Sequence, residues 1–241
     1  MSKKIITHMV CWYPNLEESK KLFDVLSKYS EFVEIQFPFS DPVADGPLIS
    51  EANEKAIENW ITTKDCFEFI NNIEKEQSKI IIMSYFNIVY NYNPEKFVKK
   101  SKQLWVYGLI IPDIPFDTKE WKYLIKLCKK NNIKLIQIVS PDTKEERLTK
   151  TSQISSGFVY AISESMTTWS NIKFEDDFKN YITKLKKYFK IPIWVWFWVK
   201  TKEDINKILE IANMAIIWSK ILDIYKNKWI NKVENFLKNL K

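Results

Sequence analysis

The chain has 241 residues, of which 46% are hydrophobic and 28% are charged. We find no apolar run of about 18 residues and no signal-peptide pattern, so we expect neither a membrane span nor secretion. A single histidine, His8, excludes a multi-histidine metal site and disfavours a histidine-dependent triad. Three widely spaced cysteines indicate reduced thiols in a cytoplasmic protein, with no metal site.

The net charge of +7 comes almost entirely from lysine, because Arg147 is the only arginine. The lysines are spread along amphipathic segments, which is typical of solvated helix faces. Nucleic-acid readers favour arginine forks, so we expect no nucleic-acid partner. The same positive charge would attract a small anionic substrate.

Short apolar segments alternate with amphipathic segments along the whole chain. In chain order the predicted strands are Lys4–Val10, Phe32–Gln36, Lys79–Ser84, Gly108–Ile111, Lys134–Val139, Gly157–Ala161, Pro192–Trp196 and Met214–Ile217. The predicted helices are Leu16–Ser27, Ile49–Trp60, Thr63–Glu76, Pro94–Lys102, Thr118–Asn131, Lys144–Lys150, Phe174–Phe189, Lys202–Ala212 and Lys220–Leu240. Eight such units predict an α/β fold, a (β/α)8 TIM barrel that forms a single domain over residues 1–241. An open doubly wound sheet is the alternative, which eight regular units disfavour.

Two acidic residues stand near the end of the second strand, where barrels place their chemistry. Glu34 alternates with Val33 and Ile35, which should face the helices, so Glu34 should point into the barrel mouth. Burial would raise the pKa of this carboxyl and suit it to proton transfer; pairing with a lysine is the structural alternative. Asp45 precedes Gly46 in the following loop, where Asp-Gly is also a common turn signal.

Two counts do not fit an ordinary barrel of this size. The chain has only 3 glycines, where average usage predicts about 17. It has 10 tryptophans, three of them in the short stretch "IPIWVWFWVK". Turns need positions with positive φ, which glycine adopts at no steric cost and tryptophan does not.

Residues 33–57, "VEIQFPFSDPVADGPLISEANEKAI", closely resemble the tryptophan synthase α-subunit family. The resemblance continues at "LIIPDIPFD" (109–117), "GFVYAISESMTTW" (157–169), "PIWVWFWVKTKED" (192–204) and "AIIWSKIL" (215–222), and so covers essentially the whole chain. The family usually has an extra N-terminal helix, which this sequence lacks before its first predicted strand.

The resemblance implies cleavage of indole-3-glycerol phosphate to indole and glyceraldehyde 3-phosphate, a retro-aldol step of tryptophan biosynthesis. It makes Glu34 the catalytic acid/base and Asp45 the acceptor of a hydrogen bond from the indole N–H. The resemblance also implies substrate-binding positions. It places Tyr160 beside the substrate, Phe197 on the indole, and Thr168 and Trp169 in loop 6, the loop after the sixth strand. It places Trp198, Trp218 and Ser219 in the loops after the seventh and eighth strands, which bind the substrate phosphate. Glu164 and Met166 depart from the family pattern of loop 6, where glycine and arginine are common.

Seven tryptophans stand where the family has glycine: positions 12, 60, 105, 169, 196, 198 and 218. Trp194 is a plausible eighth, whereas Trp121 and Trp229 match no such position. Because some bacteria read UGA as tryptophan and others read it as glycine, we infer that these residues are recoded glycines, which agrees with the Lys, Ile and Asn richness of an AT-rich gene. The alternative is a genuine aromatic platform that stacks bases or sugars.

The family also implies a partner, a pyridoxal-phosphate-bearing β subunit in an αββα heterotetramer, which would dock near Asp41 and Pro42. This chain would bind no cofactor itself. One alternative is a catalytically impaired α-like subunit that mainly binds and activates the β subunit. Another is a different phosphate-binding barrel isomerase of tryptophan or histidine synthesis, which the "PFSDPVADGP" loop disfavours.

Overall fold

The structure, a computed structural model, describes residues 4–43, 45–163, 172–196, 199–226 and 229–240, with backbone alone for 172–175. The strands among these residues are β1 (Ile5–Val10), β2 (Phe32–Gln36), β3 (Lys79–Met83), β4 (Gly108–Ile110), β5 (Lys134–Val139), β6 (Val159–Ile162), β7 (Ile193–Trp196) and β8 (Met214–Ile217). The helices among them are α1 (Leu16–Tyr29), α2 (Pro47–Ile57), α3 (Thr63–Asn71), α4 (Phe86–Tyr92), α5 (Pro94–Gln103), α6 (Lys119–Lys130), α7 (Glu145–Ile154), α8 (Ile172–Tyr188), α9 (Lys202–Ile211), α10 (Ser219–Tyr225) and α11 (Ile230–Asn239). No helix in these ranges is both long and apolar enough to span a bilayer.

The eight strands form one closed parallel barrel in the order β1 to β8. Each strand pairs with the next one along the chain, and β8 closes the barrel by pairing Ala215 with Ile5 of β1. The predicted (β/α)8 barrel is therefore confirmed. Closure places the carboxyl ends of all eight strands at one mouth, where loops from every unit can contribute to a site.

Side chains alternate between the two faces of each strand, which produces two apolar layers. Residues such as Ile6, Phe32 and Ile81 fill the barrel interior, whereas Val33, Ile35 and their equivalents pack outward against the helices. His8 and Glu34 are each two residues further along from Ile6 and Phe32, so the same alternation aims them inward. The polar residues of the mouth thus lie above a packed apolar floor.

Helix α6 shows how the outer layer forms. Its buried residues, Trp121, Leu124, Leu127 and Cys128, recur at helical spacing, while lysines occupy the opposite face. The Thr118 hydroxyl accepts a hydrogen bond from the Trp121 N–H at 3.2 Å and so caps the first turn. Burying each large apolar side chain contributes about 1.5–3 kcal/mol, and Trp121 therefore has an ordinary structural role as tryptophan.

Seven described residues have positive φ, and three of them are tryptophans: Trp12 (66°), Trp60 (57°) and Trp105 (60°). The others are asparagine, aspartate and glycine: Asn93, Asp117, Asn132 and Gly157, which are the residue types that adopt this conformation most readily. A bulky side chain there is an outlier. The side chains of Trp60 and Trp105 are 92% and 82% exposed, so no packing compensates for the backbone strain.

Trp105 and Asn132 occupy equivalent places in two helix C-terminal turns. After α5, the Val106 N–H bonds the Ser101 carbonyl at 3.0 Å and the Trp105 N–H bonds the Lys102 carbonyl at 3.1 Å. After α6, Ile133 and Asn132 make the same two bonds, to Cys128 at 2.9 Å and to Lys129 at 3.2 Å. This pair of bonds is the Schellman motif, whose left-handed residue is usually glycine.

The predicted helices needed several corrections, one of which is that the helix predicted at Thr63–Glu76 ends at Asn71. The single helix predicted at Lys220–Leu240 is wrong: α10 and α11 are separate, and Trp229 before α11 has a non-helical ψ of 66°. The helix predicted to run to Trp60 ends at Ile57, because the chain reverses through the left-handed turn. Helix α4 was not predicted. Its first N–H, at Phe86, is capped by Asp113 Oδ1 at 2.7 Å, a contact between distant residues that no local pattern shows.

Candidate functional site

A cavity of about 270 Å³ opens at the carboxyl ends of the strands. Its lining combines two carboxylates and a phenol with apolar and indole side chains: Glu34, Val43, Asp45, Gly46, Met83, Ile110, Pro112, Ile138, Tyr160, Ile162, Trp196 and Trp218. These residues come from the ends of β2 to β7 and from the loops after β2, β4 and β8. A few convergent polar groups in a mostly apolar cleft are typical of a small-molecule site.

Glu34 lies in the middle of β2, fully buried, with its side chain at the cavity wall. Its Oε1 is 3.4 Å from His8 Nδ1 on the adjacent strand. Neither carboxylate oxygen has a hydrogen-bond partner among the described residues. A buried carboxylate without a hydrogen-bond partner is costly, which makes Glu34 a candidate functional group.

Asp45 reaches the same cavity from the loop between β2 and α2. Its Oδ2 accepts a 2.6 Å hydrogen bond from Gln36 Nε2, and Gln36 follows Glu34 by two residues on the inner face of β2. Asn53 of α2 anchors the loop as well, since its Oδ1 accepts the Phe39 N–H at 3.0 Å. The carboxylate is therefore held in place from both the strand and the helix.

Burial raises the pKa of the Asp45 carboxyl, and several neighbours act on it in addition. The hydrogen bond from Gln36 lowers this pKa, as do the charge of His8 and a hydrogen bond from Tyr85, while the negative charge of Glu34 raises it. Glu34 and His8 are thus close enough to Asp45 to influence its protonation.

Tyr160 completes the polar group from β6. Its side chain is buried, and its hydroxyl has no hydrogen-bond partner among the described residues. Burial raises the pKa of the phenol well above its usual value, and the negative charges of Glu34 and Asp45 raise it further. The hydroxyl stays protonated at neutral pH and is available as a donor inside the cavity.

Two indoles occupy the β7–β8 side of the cavity. Trp196 and Trp218 meet edge to face, with ring centroids 5.7 Å apart, and Trp218 also packs on His8 at 4.4 Å. The buried Nε1 of Trp218 has no partner in the described part of the chain. Its backbone, at φ −105° and ψ −99°, precedes Ser219, the first residue of α10.

Four of the expected site positions, Thr168, Trp169, Phe197 and Trp198, lie outside the described residues, as do Glu164 and Met166 of the same loop 6. Two groups that sequence reasoning missed stand beside the carboxylates: His8, which contacts Glu34, and Gln36, which holds Asp45. Their inward alternation with Ile6 and Glu34 is the signal that could have identified them. Within the described ranges, no three His, Cys, Asp or Glu residues form a group that could hold a metal.

Comparison with known proteins gives a consistent family assignment. The profile of the family described as tryptophan synthase alpha chain matches residues 1–241. The chain is 34% identical to the tryptophan synthase alpha chain of Petrotoga mobilis, covering 100% of this chain and 95% of that protein. It is 37% identical to that of Methanocaldococcus jannaschii, with coverages of 92% and 79%. The solved structure of tryptophan synthase subunit alpha from Campylobacter jejuni superposes with a TM-score of 0.87 at 27% identity, covering 98% of this chain and 94% of that one.

Proposed function

The chain belongs to the tryptophan synthase alpha chain family, lyases that cleave indole-3-glycerol phosphate, and on that premise we propose which of its residues perform the cleavage. The products are indole and glyceraldehyde 3-phosphate, formed by retro-aldol scission within tryptophan biosynthesis. The observation that supports the residue assignment most directly is the convergence of Glu34, Asp45 and Tyr160 on one cavity at the barrel mouth.

Glu34 is the acid/base of the proposed reaction. Protonation of ring carbon C3 makes the indole a leaving group, and removal of the proton from the adjacent glycerol hydroxyl allows a carbonyl to form. The electron pair of the broken carbon–carbon bond returns to the ring, so protons and electrons balance. A buried, otherwise unpartnered carboxylate at the cavity wall has the position for this proton transfer.

Asp45 accepts the hydrogen bond from the indole N–H and stabilises the positive charge that develops on the ring. Gln36 fixes the Asp45 carboxylate with a 2.6 Å hydrogen bond, so the acceptor is oriented before the substrate arrives. Such preorganised electrostatic contacts are worth about 3–4 kcal/mol at a transition state. Tyr160 contacts the substrate from β6. Phe197 packs on the indole, and Thr168 orders the carboxylates when loop 6 closes.

The substrate phosphate binds between the loops after β7 and β8, at Ser219 and the backbone of positions 198, 218 and 169. Phosphate needs bare backbone N–H groups there, and an indole side chain would fill the space. In the chain as written, the indoles of Trp196 and Trp218 line this side of the cavity.

We therefore propose that the seven tryptophans at 12, 60, 105, 169, 196, 198 and 218 are glycines in the natural protein, encoded by UGA. Three observations support this. Trp12, Trp60 and Trp105 have left-handed backbones, the last two are almost fully exposed, and the buried indole nitrogens of Trp12 and Trp218 have no partner among the described residues. A genuine aromatic platform would explain Trp196 and Trp218 but not the exposed turns.

The recoding proposal is tested by the intact mass of the protein purified from its source. We expect it to fall below the 28.9 kDa of the written sequence by one tryptophan-to-glycine difference per recoded site, with UGA codons at the seven positions. An intact mass equal to that of the written sequence, or UGG codons there, would overturn the proposal and favour the aromatic platform.

We propose that the chain works with a β subunit in an αββα heterotetramer and binds no cofactor itself, since the family places pyridoxal phosphate on the partner. The loop around Asp41 and Pro42, with Val43 75% exposed beside them, offers the docking surface. Cys11, Cys66 and Cys128 are free thiols, which suits a cytoplasmic setting.

The lyase assignment is tested with Glu34→Gln in the chain that has glycine at the seven positions. The amide keeps the shape of the side chain but cannot transfer protons, so indole release should be abolished while a glycerol phosphate ligand still binds. Activity within tenfold of the parent would remove Glu34 from the acid/base role. If the parent itself releases no indole but still activates the β subunit, the chain is instead a catalytically impaired activator.

A further inference from the structure

His8 and Glu34 are opposite one another in the β1–β2 register. Both side chains are completely buried, and His8 Nδ1 lies 3.4 Å from Glu34 Oε1. His8 is the only histidine of the chain. Neither ring nitrogen of His8 and neither carboxylate oxygen of Glu34 has a hydrogen-bond partner among the described residues, and leaving such buried polar atoms unpaired is costly.

The arrangement places the imidazole behind the carboxylate as seen from the cavity. Glu34 lines the cavity, whereas His8 is not among its described lining residues. In the written chain His8 therefore contacts the proposed acid/base but does not line the cavity. The 3.4 Å separation exceeds the 2.7–2.9 Å of a good charge-assisted hydrogen bond, and such contacts commonly tighten only when the substrate binds.

We propose that His8 is a positioning residue for Glu34, with Nδ1–H donating to Oε1 and leaving Oε2 to exchange protons with the substrate. This inference rests on the proposed function, because it takes Glu34 as the acid/base. The imidazole donates this hydrogen bond and transfers no proton itself. A hydrogen bond to one oxygen fixes the orientation of the carboxylate, in the way that neighbouring side chains orient the ligands of a metal site.

The contact with Trp218 does not account for the polar pairing. The indole covers a face of the imidazole at 4.4 Å, whereas the carboxylate meets the ring edge at Nδ1. The His8–Glu34 contact is made between β1 and β2 and involves no atom of Trp218, so it can be tested in the glycine-bearing chain.

Two substitutions separate the donor from the shape of the ring. His8→Phe keeps an aromatic ring and removes the donor, and we expect it to lower kcat for indole release by about tenfold to a hundredfold with KM nearly unchanged. His8→Asn places an amide N–H near the Nδ1 position and should keep kcat within a few fold of the parent. Urea unfolding and binding of a glycerol phosphate ligand show that both variants are folded.

A spectroscopic measurement tests the contact without any turnover. The single histidine gives one set of imidazole NMR resonances, and Glu34→Gln should shift the Nδ1 signal, whereas Asp41→Asn, an exposed control, should leave it in place.

The outcomes distinguish the two proposals. If Glu34→Gln keeps full activity, the acid/base role of Glu34 is wrong, whatever the imidazole signal does. If Glu34→Gln abolishes activity but His8→Phe has the kcat of the parent, the positioning role of His8 is overturned. It is overturned as well if His8→Asn lowers kcat as much as His8→Phe does. An Nδ1 signal that does not respond to Glu34→Gln would contradict the contact itself.

Discussion

Replacing Trp60 and Trp105 by glycine should stabilise the written chain. A non-glycine residue in the left-handed region costs about 1–2 kcal/mol, which glycine would relieve. Glycine also raises the conformational entropy of the unfolded chain, which lowers stability by about 0.4–1 kcal/mol. Both side chains are almost fully exposed, so their removal sacrifices little packing. We expect a net gain of about 0.5–1 kcal/mol per site, measured as a higher urea midpoint of unfolding.

Asn132 provides a matched control for Trp105, because it occupies the same place in the equivalent turn after α6. Asparagine tolerates this conformation, so Asn132→Gly should change the midpoint less than Trp105→Gly. Tyr123 is a half-exposed aromatic residue inside α6, and Tyr123→Gly should lower stability by about 1 kcal/mol. If Trp60→Gly and Trp105→Gly lower the midpoint as Tyr123→Gly does, the strain argument is refuted.

Three further predictions test the site and the barrel. Because burial raises the pKa of Asp45, the folded chain binds a proton at this carboxyl more tightly than the unfolded chain does. The free energy of unfolding therefore falls as the pH rises from the usual aspartate pKa, near 3.8, through the raised pKa of the folded chain. Asp45→Asn should therefore raise the urea midpoint above that of the parent at pH 7, and the difference between the two midpoints should narrow towards pH 4. The same variant should release indole more slowly in steady-state kinetics. Gly108→Ala should destabilise the chain by about 1–3 kcal/mol in urea unfolding, because the added Cβ would lie 2.6 Å from the Lys134 carbonyl oxygen. Gly46→Ala is the control: its Cβ would meet no atom within 4 Å, so the urea midpoint should change little. Tyr160→Phe removes a buried hydroxyl that lacks a partner among the described residues and should raise the midpoint by about 1 kcal/mol while weakening substrate binding, measured as a higher KM.

The barrel could be predicted from the sequence because its signals are local. Each strand is a short apolar run, and each flanking helix has its own stripe and cap, as α6 shows with Thr118. Helix α4 escaped prediction because its cap, Asp113, comes from another loop. The break before α11 depends on the backbone at Trp229, which the continuous amphipathic pattern conceals.

The candidate site was predictable in part for the same reason. Glu34 and Asp45 stand in a recognisable segment, whereas the pairing of His8 with Glu34 depends on the register between two strands 26 residues apart in sequence. No local pattern gives that register. The glycine and tryptophan counts and the resemblance singled out the tryptophans at 12, 60 and 105, and their positive φ angles add a structural observation that the sequence could not supply.

The central claim is that this barrel cleaves indole-3-glycerol phosphate once its seven anomalous tryptophans are glycines. The most direct test is the rate of indole release from that substrate by two purified proteins, the written chain and the chain with glycine at positions 12, 60, 105, 169, 196, 198 and 218. We predict release by the glycine-bearing chain and little or none by the written chain, in which the indoles of Trp196 and Trp218 line the β7–β8 side of the cavity. Equal rates from the two proteins would contradict the recoding proposal, and no indole from either would contradict the cleavage itself.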